Sequence, residues 1–440
     1  MPLTVMLISG KFATRHTVVF VVLLLAAASA SYKISNRPSV AIFQMPAAAK
    51  QSGSDLPVLQ ASFVSRTQNI HTHAASLVEL GDGRIRAFWF AGSREGAPDV
   101  EIRSAVFDPS SNRWGAEQSI INREDTQRSL LRYVKKLGNP VAHRATDGTL
   151  WLFYVTVSLG GWAGSSITAI TSADDGSSWS FSRRLITSPF LNISTLVKGT
   201  PFNYGDGSFG LPVYHEFVGK FGELLRISQQ GTIIDKFRLS SGNTSLQPVV
   251  LVKNPQNAIA LLRDAGATPK RVIATETDDA GQHWSVPIKT ALRNPDAAVT
   301  GVTLSDGNIL LVLNDTEQGR AVLSLVISSD GGVTWKTVYQ LEDQQGPSTD
   351  TERYVQIAAE LAKATDTGIT DPAGHARSAQ RNKCDGQGCG FEFSYPYLIQ
   401  AHNGDFHLVY TWNRSFIKHI RFNRGWLDRQ LERRADAQLH

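Results

Sequence analysis

Several polar side chains fall at strand starts, strand ends and loop tips, where a purely structural chain would place small or turn-forming residues. His71 and His73 flank Thr72, and alternate residues of a strand share a face, so the two imidazoles form a pair fit to move protons. Arg94, Glu95 and Asp99 crowd a short loop that also holds Gly96 and Pro98, the setting of a binding or acid/base loop. Arg263 ends the apolar run from Ala258 to Leu262, where a charge must be paired or face a solvated channel. Arg320 follows Gln318 and Gly319 in a turn, and Tyr395 lies between Ser394 and Pro396. Two arginines that converge can hold a carboxylate bidentately. Tyr204, His215, Glu216, Asn139, Asn314, Arg414 and His419 are further polar residues at hairpin or strand ends, suited to lining a sugar pocket.

The scaffold that must bring these residues together is a repeat. Apolar runs separated by Asp-Gly or an Asn-containing turn recur at Asp82-Gly83, Asp147-Gly148, Asp206-Gly207, Asn254-Pro255, Asp306-Gly307 and Asn403-Gly404. Such a dipeptide between alternating apolar runs predicts a hairpin with both central residues at positive φ. The spacing, roughly 50–65 residues apart from one long gap before the sixth, suits four-stranded blades. An all-β, six-bladed β-propeller follows. The gap, about 343–392, is polar and Gln-rich and predicts an insertion on one face with a helix over 351–364.

A second motif, S/T-x-D-x-G-x-x-W, appears at Ser172–Trp179, Thr277–Trp284 and Ser328–Trp335, with a degenerate copy at Asp108–Trp114. The carboxylate accepts turn N–H groups, the glycine permits a left-handed residue and the tryptophan plugs the turn. These octamers are structural.

Lys11, Arg15 and His16 precede an apolar run from Thr17 to Ala28, and Ala28-Ser29-Ala30 offers a small-x-small cleavage site. Residues 1–30 therefore predict a signal peptide or, uncleaved, an N-terminal anchor. Residues 31–60 read as a tether and 61–430 as the propeller. The expected location is periplasmic or secreted, with inner-membrane anchoring in the uncleaved case. Cys384 and Cys389 could close a small loop in an oxidising compartment. No metal site or cofactor is called for. A net charge of +5 without a dense Lys/Arg run argues against nucleic acid and is compatible with an acidic glycan.

The hairpins and octamers together resemble the sialidase superfamily of Asp-box propellers, and in particular the bacterial BNR-repeat proteins described as predicted neuraminidases. That family clamps a carboxylate with three arginines and uses a Tyr nucleophile helped by a Glu, with an Asp as acid/base. The resemblance places Asp99 as acid/base, Tyr395 as nucleophile, and Arg263 and Arg320 as carboxylate ligands, with Arg94 and Glu95 beside them. It also exposes two departures. His73 stands where the first arginine belongs, and Gln247, before Pro248, stands where the assisting Glu belongs. The implied function is an exported glycoside hydrolase acting on a sialic or related carboxylated sugar. A uronate lyase using His73 and Tyr395, and a non-catalytic glycan-binding envelope protein, are the alternatives that the departures raise.

Overall fold

A computed structural model describes residues 17–25, 27–28, 31, 41–45, 56–188, 192–242, 244–346, 349–366 and 368–439. Residues up to 41 and from 42 onward form separate compact units. In the first, Thr17–Leu25 is helical, whereas the basic residues before it, and Ser29 and Ala30 of the expected cleavage site, lie outside the described residues. No helix among the described residues is long and apolar enough to cross a membrane.

The second unit is a six-bladed β-propeller, as the repeat predicts. The innermost strands are His71–Glu79, Lys136–Arg144, Leu196–Val197 with Phe202–Asn203, Ser245–Val252, Thr300–Thr303 and Phe393–Gln400, for blades one to six. Each is followed by two to four further antiparallel strands of its own blade. The sixth blade takes its outermost strand from the other end of the chain. Leu59–Phe63 pairs with Phe416–Phe422, from Leu59 opposite Phe422 to Phe63 opposite Lys418. This closure leaves no blade unpaired at the join. It also means that the propeller begins inside the stretch expected as a tether. That stretch is pinned at a second point, where Phe43 is buried, bridges to Tyr204 of blade three and donates its N–H to Pro255.

All six expected hairpins are present, but their turns differ from the expected primed type. In five of them the glycine alone has positive φ (Gly83, Gly148, Gly207, Gly307 and Gly404, 82–90°). Its N–H closes a turn onto the carbonyl three residues back. The Asp or Asn before it stays in ordinary conformation because its carboxylate or amide oxygen accepts the N–H two residues on, at 2.9–3.1 Å. A local side-chain bond thus selects the ordinary turn with a trailing left-handed glycine over the mirror-image one.

The octamers occupy the loops between third and fourth strands of blades two, four and five. In the first, Ser172 Oγ donates to Asp174 at 2.7 Å and accepts Gly176 N–H at 2.7 Å, and Asp174 accepts Ser178 N–H at 2.8 Å. Trp284 and Trp335 each donate Nε1–H to the carbonyl of their own motif glycine.

The expected insertion contains the helix Thr351–Thr365, capped by Asp350. A second helix, Pro372–Lys383, was not foreseen from its polar, Gly-containing sequence. Its signal was Asp371-Pro372, an N-cap followed by a proline in the first turn. The helix leads into a two-residue hairpin closed by the Cys384–Cys389 disulfide.

Blades six and one meet over a buried histidine pair. Trp114 Nε1 donates to His419 Nδ1 at 3.1 Å, and His419 Nε2 lies 3.0 Å from His407 Nδ1. Indole N–H can only donate, so His419 carries its proton on Nε2 and both rings are neutral. Burial pushes His407 down to about 3 and His419 well below the ordinary value. A histidine depressed on folding contributes stability that is full above the unfolded value near 6.5 and is lost as pH falls toward the folded one. Each should therefore remove up to about 1.4 kcal/mol per pH unit over that window. Urea denaturation of wild type and His407→Phe between pH 7 and 5 should show a shallower acid dependence in the variant. Identical slopes would dismiss this account.

Candidate active site at the strand-start end of the channel

Four of the six innermost strands begin with a bulge. Pairing skips two residues after His73, Gly138, Leu246 and Ser394. The first skipped residue is left-handed in every case: Ala74 (φ 54°), Asn139 (43°), Gln247 (50°) and Tyr395 (54°). In three of the four a proline follows (Pro140, Pro248 and Pro396), and its missing N–H costs nothing where the pairing is interrupted. A bulge re-aims the side chain it carries. Left-handed non-glycine residues cost about 1–2 kcal/mol each and persist only where the surroundings enforce them.

The bulged side chains meet. Gln247 Nε2 lies 3.0 Å from the Tyr395 hydroxyl and 3.3 Å from that of Tyr214, which also accepts from Asn139 Nδ2 at 3.2 Å. Gln247 Oε1 accepts from Arg263 at 3.1 Å. Guanidinium can only donate, so the orientation of this amide is fixed: Gln247 donates to Tyr395 and has no means of taking its proton.

Three arginines surround this pair of tyrosines. Arg263 Nε donates to Asp296 at 2.5 Å, and Lys270 reaches the other oxygen of that carboxylate at 3.4 Å. Burial opposes the Asp296 charge, but Arg263 and Lys270 together outweigh it and the carboxyl titrates below its ordinary range. Arg320 donates to the Asp296 carbonyl at 2.7 Å and stands 3.6 Å from Glu392. Arg414 Nε holds both oxygens of Glu392, at 3.1 and 2.9 Å, and its Nη1 reaches Glu95 at 3.1 Å. Lys383, from the end of the second insertion helix, adds a 2.8 Å contact to Glu392. Glu392 is itself buried, which penalises its charge, yet Lys383 and Arg414 hold it far below the usual carboxylate range. The side chains of Arg263, Arg320 and Arg414 remain 16, 19 and 28% exposed, enough for each to touch a ligand in the channel. Arg263, Arg320, Arg414, Lys270 and Lys383 outnumber Asp296, Glu392, Glu95 and nearby Glu216, so the site favours an anion. The Glu216 carboxyl, moreover, is pushed up by burial.

His73 packs on Tyr395, ring centroids 4.3 Å apart, with His71 6.0 Å behind it. Burial, reinforced by Arg414, drives His73 well below its ordinary value and His71 to about 4. The histidine at the first-arginine position is therefore neutral and supplies no positive charge. Arg414, foreseen only as a pocket-lining residue, brings the third guanidinium instead.

The remaining candidates are placed as follows. Asp99 is exposed in its loop and accepts Ser93 N–H and Oγ, both at 2.9 Å. Arg94 is exposed, and Glu95 joins the site through Arg414. Tyr204 packs with Phe43 and Phe202 near the hairpin end, Asn314 Nδ2 ties backbone carbonyls of Val322 and Phe393, and His419 belongs to the buried pair. A cavity of about 400 Å³ opens at the hairpin end of the channel between Asn203, Leu251, Thr303, Gln400 and His402, and no candidate catalytic residue lines it. Glu392, Asp296 and Tyr214 were not read from sequence. Glu392 lies at the end of the insertion, outside the repeat.

The family model described as BNR repeat-like domain matches residues 83–408. No curated protein matches. Among solved structures, a Hadza microbial sialidase is similar over 79% of this chain at 15% identity and a TM-score of 0.59, and the chain spans 65% of its length. A protein of unknown function from Dyadobacter fermentans (14% identity, TM-score 0.59) is matched over 83% of this chain and 98% of its own. The intramolecular trans-sialidase from Ruminococcus gnavus, solved with oseltamivir carboxylate (12%, 0.56), is matched over 81 and 95%. The chain belongs to the BNR repeat-like family and has the sialidase-like six-bladed fold.

Proposed function

We propose that this propeller is an exported glycoside hydrolase acting on a terminal carboxylated sugar. The observation that carries the reading is the Tyr395 hydroxyl, presented on a left-handed bulge and ringed by Arg263, Arg320 and Arg414. The arginines bind the substrate carboxylate. Tyr395 attacks the anomeric carbon as the bond to the leaving oxygen breaks, and Asp99 gives that oxygen its proton. The phenol proton goes to His73, a neutral imidazole against the ring, because Gln247 turns its NH2 to the hydroxyl and can only donate there. Water then releases the sugar. A sialidase fold supports the substrate class. The apolar run after basic residues, and a disulfide that needs an oxidising compartment, support a periplasmic or secreted location.

Gln247 favours one second reading. An amide in place of a base suits β-elimination on a uronate, with arginines neutralising the carboxylate and His73 and Tyr395 sharing the proton transfers. Incubation with sialosides and with uronate polymers separates the readings. A released acidic monosaccharide supports hydrolysis, an unsaturated product absorbing near the ultraviolet edge supports elimination, and binding without either product marks a glycan-binding protein. In the first case Asp99→Asn should cut turnover by about 10²–10⁴-fold with an unchanged melting temperature. An unchanged rate removes Asp99 from the mechanism.

A further inference from the structure

Lys198 is a buried charge that the proposed reaction does not use. It follows the strand Leu196–Val197 of blade three and is 4% exposed. Its Nζ donates to the carbonyl of Pro396 at 3.1 Å. That carbonyl sits in blade six, the opposite blade of a six-membered ring, and inside the bulge, where Tyr395 and Pro396 have no partners on the neighbouring strand. The lysine thus satisfies an acceptor that the interrupted pairing leaves orphaned. The same Nζ lies 4.9 Å from the ring centre of Tyr397 and 5.8 Å from that of Tyr395, within reach of a cation–π contact. Burying an ammonium without a carboxylate is costly, and a leucine or methionine would fill the space without that cost.

We infer that Lys198 is a positioning residue: it reaches across the channel axis to the Pro396 carbonyl and holds the bulge that presents the Tyr395 hydroxyl to Gln247 and the arginines. The inference rests on the reading of Tyr395 as the reacting group, but its geometry is open to test without turnover. Burial brings the amine down to about 7, so its charge changes near neutrality. Apart from Glu216, which burial raises and which the Lys198 variants leave in place as a control, the titratable groups around the two tyrosines do not change there. His71 and His73 are already neutral, Glu392 and Asp296 stay ionised, and Arg263, Arg320 and Arg414 stay protonated.

Two variants test this, Lys198→Met, which removes donor and charge, and Lys198→Arg, which keeps both. With tyrosine labelled at the phenolic carbon, the Tyr395 resonance of the wild type should move between pH 6 and 8, and that movement should vanish in both variants. A crystal structure of Lys198→Met should show the Tyr395–Gln247 hydrogen bond opened, and that of Lys198→Arg should keep it. On an acidic glycoside, Lys198→Met should lose about 100-fold in kcat with little change in KM, the signature of a displaced reacting group above an intact carboxylate clamp. Lys198→Arg should recover most of that loss. A Tyr395 resonance that ignores pH, together with an unmoved bulge in Lys198→Met, overturns the inference. If the labelled and crystallographic results hold while no glycoside is turned over, the positioning role stands and the hydrolase reading fails.

Discussion

Tyr395→Phe is expected to lower kcat by more than about 10³-fold on a carboxylated glycoside while leaving KM and the fold nearly intact. The phenyl ring keeps every packing contact of the tyrosine, including the one with His73 4.3 Å away. What disappears is one hydrogen bond, from Gln247, whose net worth is about 0.5–1.5 kcal/mol. Gln247 retains Tyr214 and Arg263 as partners, so no buried amide is stranded. The arginines do not bond to the hydroxyl and still receive the carboxylate. Loss of chemistry without loss of binding is thus the pattern of a reacting oxygen. A parallel fall in melting temperature and affinity would assign Tyr395 to packing, and a variant within about tenfold of wild type would move the chemistry elsewhere.

The legible part of this molecule was whatever the chain repeats. Six turns with the same Asx–Gly or Asn-bearing chemistry declare six hairpins, and three octamers mark the same loop of three blades, because each signal is local and recurs. Even there the local physics had the last word, since the Asp side chains choose a turn other than the one the dipeptide suggested. The bulges were harder. Asn139-Pro140, Gln247-Pro248 and Tyr395-Pro396 read as strand-edge or turn dipeptides, and nothing local says that all three aim at one point. Convergence is a property of the ring, not of any blade.

The partners of the arginines were harder still. Asp296 lies in a short connection before blade five and Glu392 at the end of the insertion, each an unremarked carboxylate in a polar stretch. Lys198, in Leu-Val-Lys-Gly, reads as an ordinary solvated lysine until the opposite blade closes over it. His73 shows the converse. Its position was legible and its charge was not, because neutrality follows from burial beside Arg414.

Arg263→Met should combine the two largest binding consequences in one substitution. The guanidinium bridges Asp296 and the Gln247 amide oxygen, so its removal frees an amide that it had oriented and leaves Asp296 with only Lys270 at 3.4 Å. Losing a hydrogen bond to a charged group costs about 1.5–3 kcal/mol, and this pair belongs at the lower end because Asp296 is 30% exposed. Affinity for a carboxylated ligand should fall by about 100-fold, since one of three charge-assisted contacts is gone. Adding Asp296→Asn separates the effects. The double variant no longer carries a carboxylate held by Lys270 alone, so it should regain most of the lost stability in urea denaturation. It should not regain affinity, because the guanidinium that meets the ligand is still missing. Recovery of both would mean that Arg263 acts only by neutralising Asp296, and recovery of neither would mean that its packing against Gln247, rather than its charge, holds this side of the channel together.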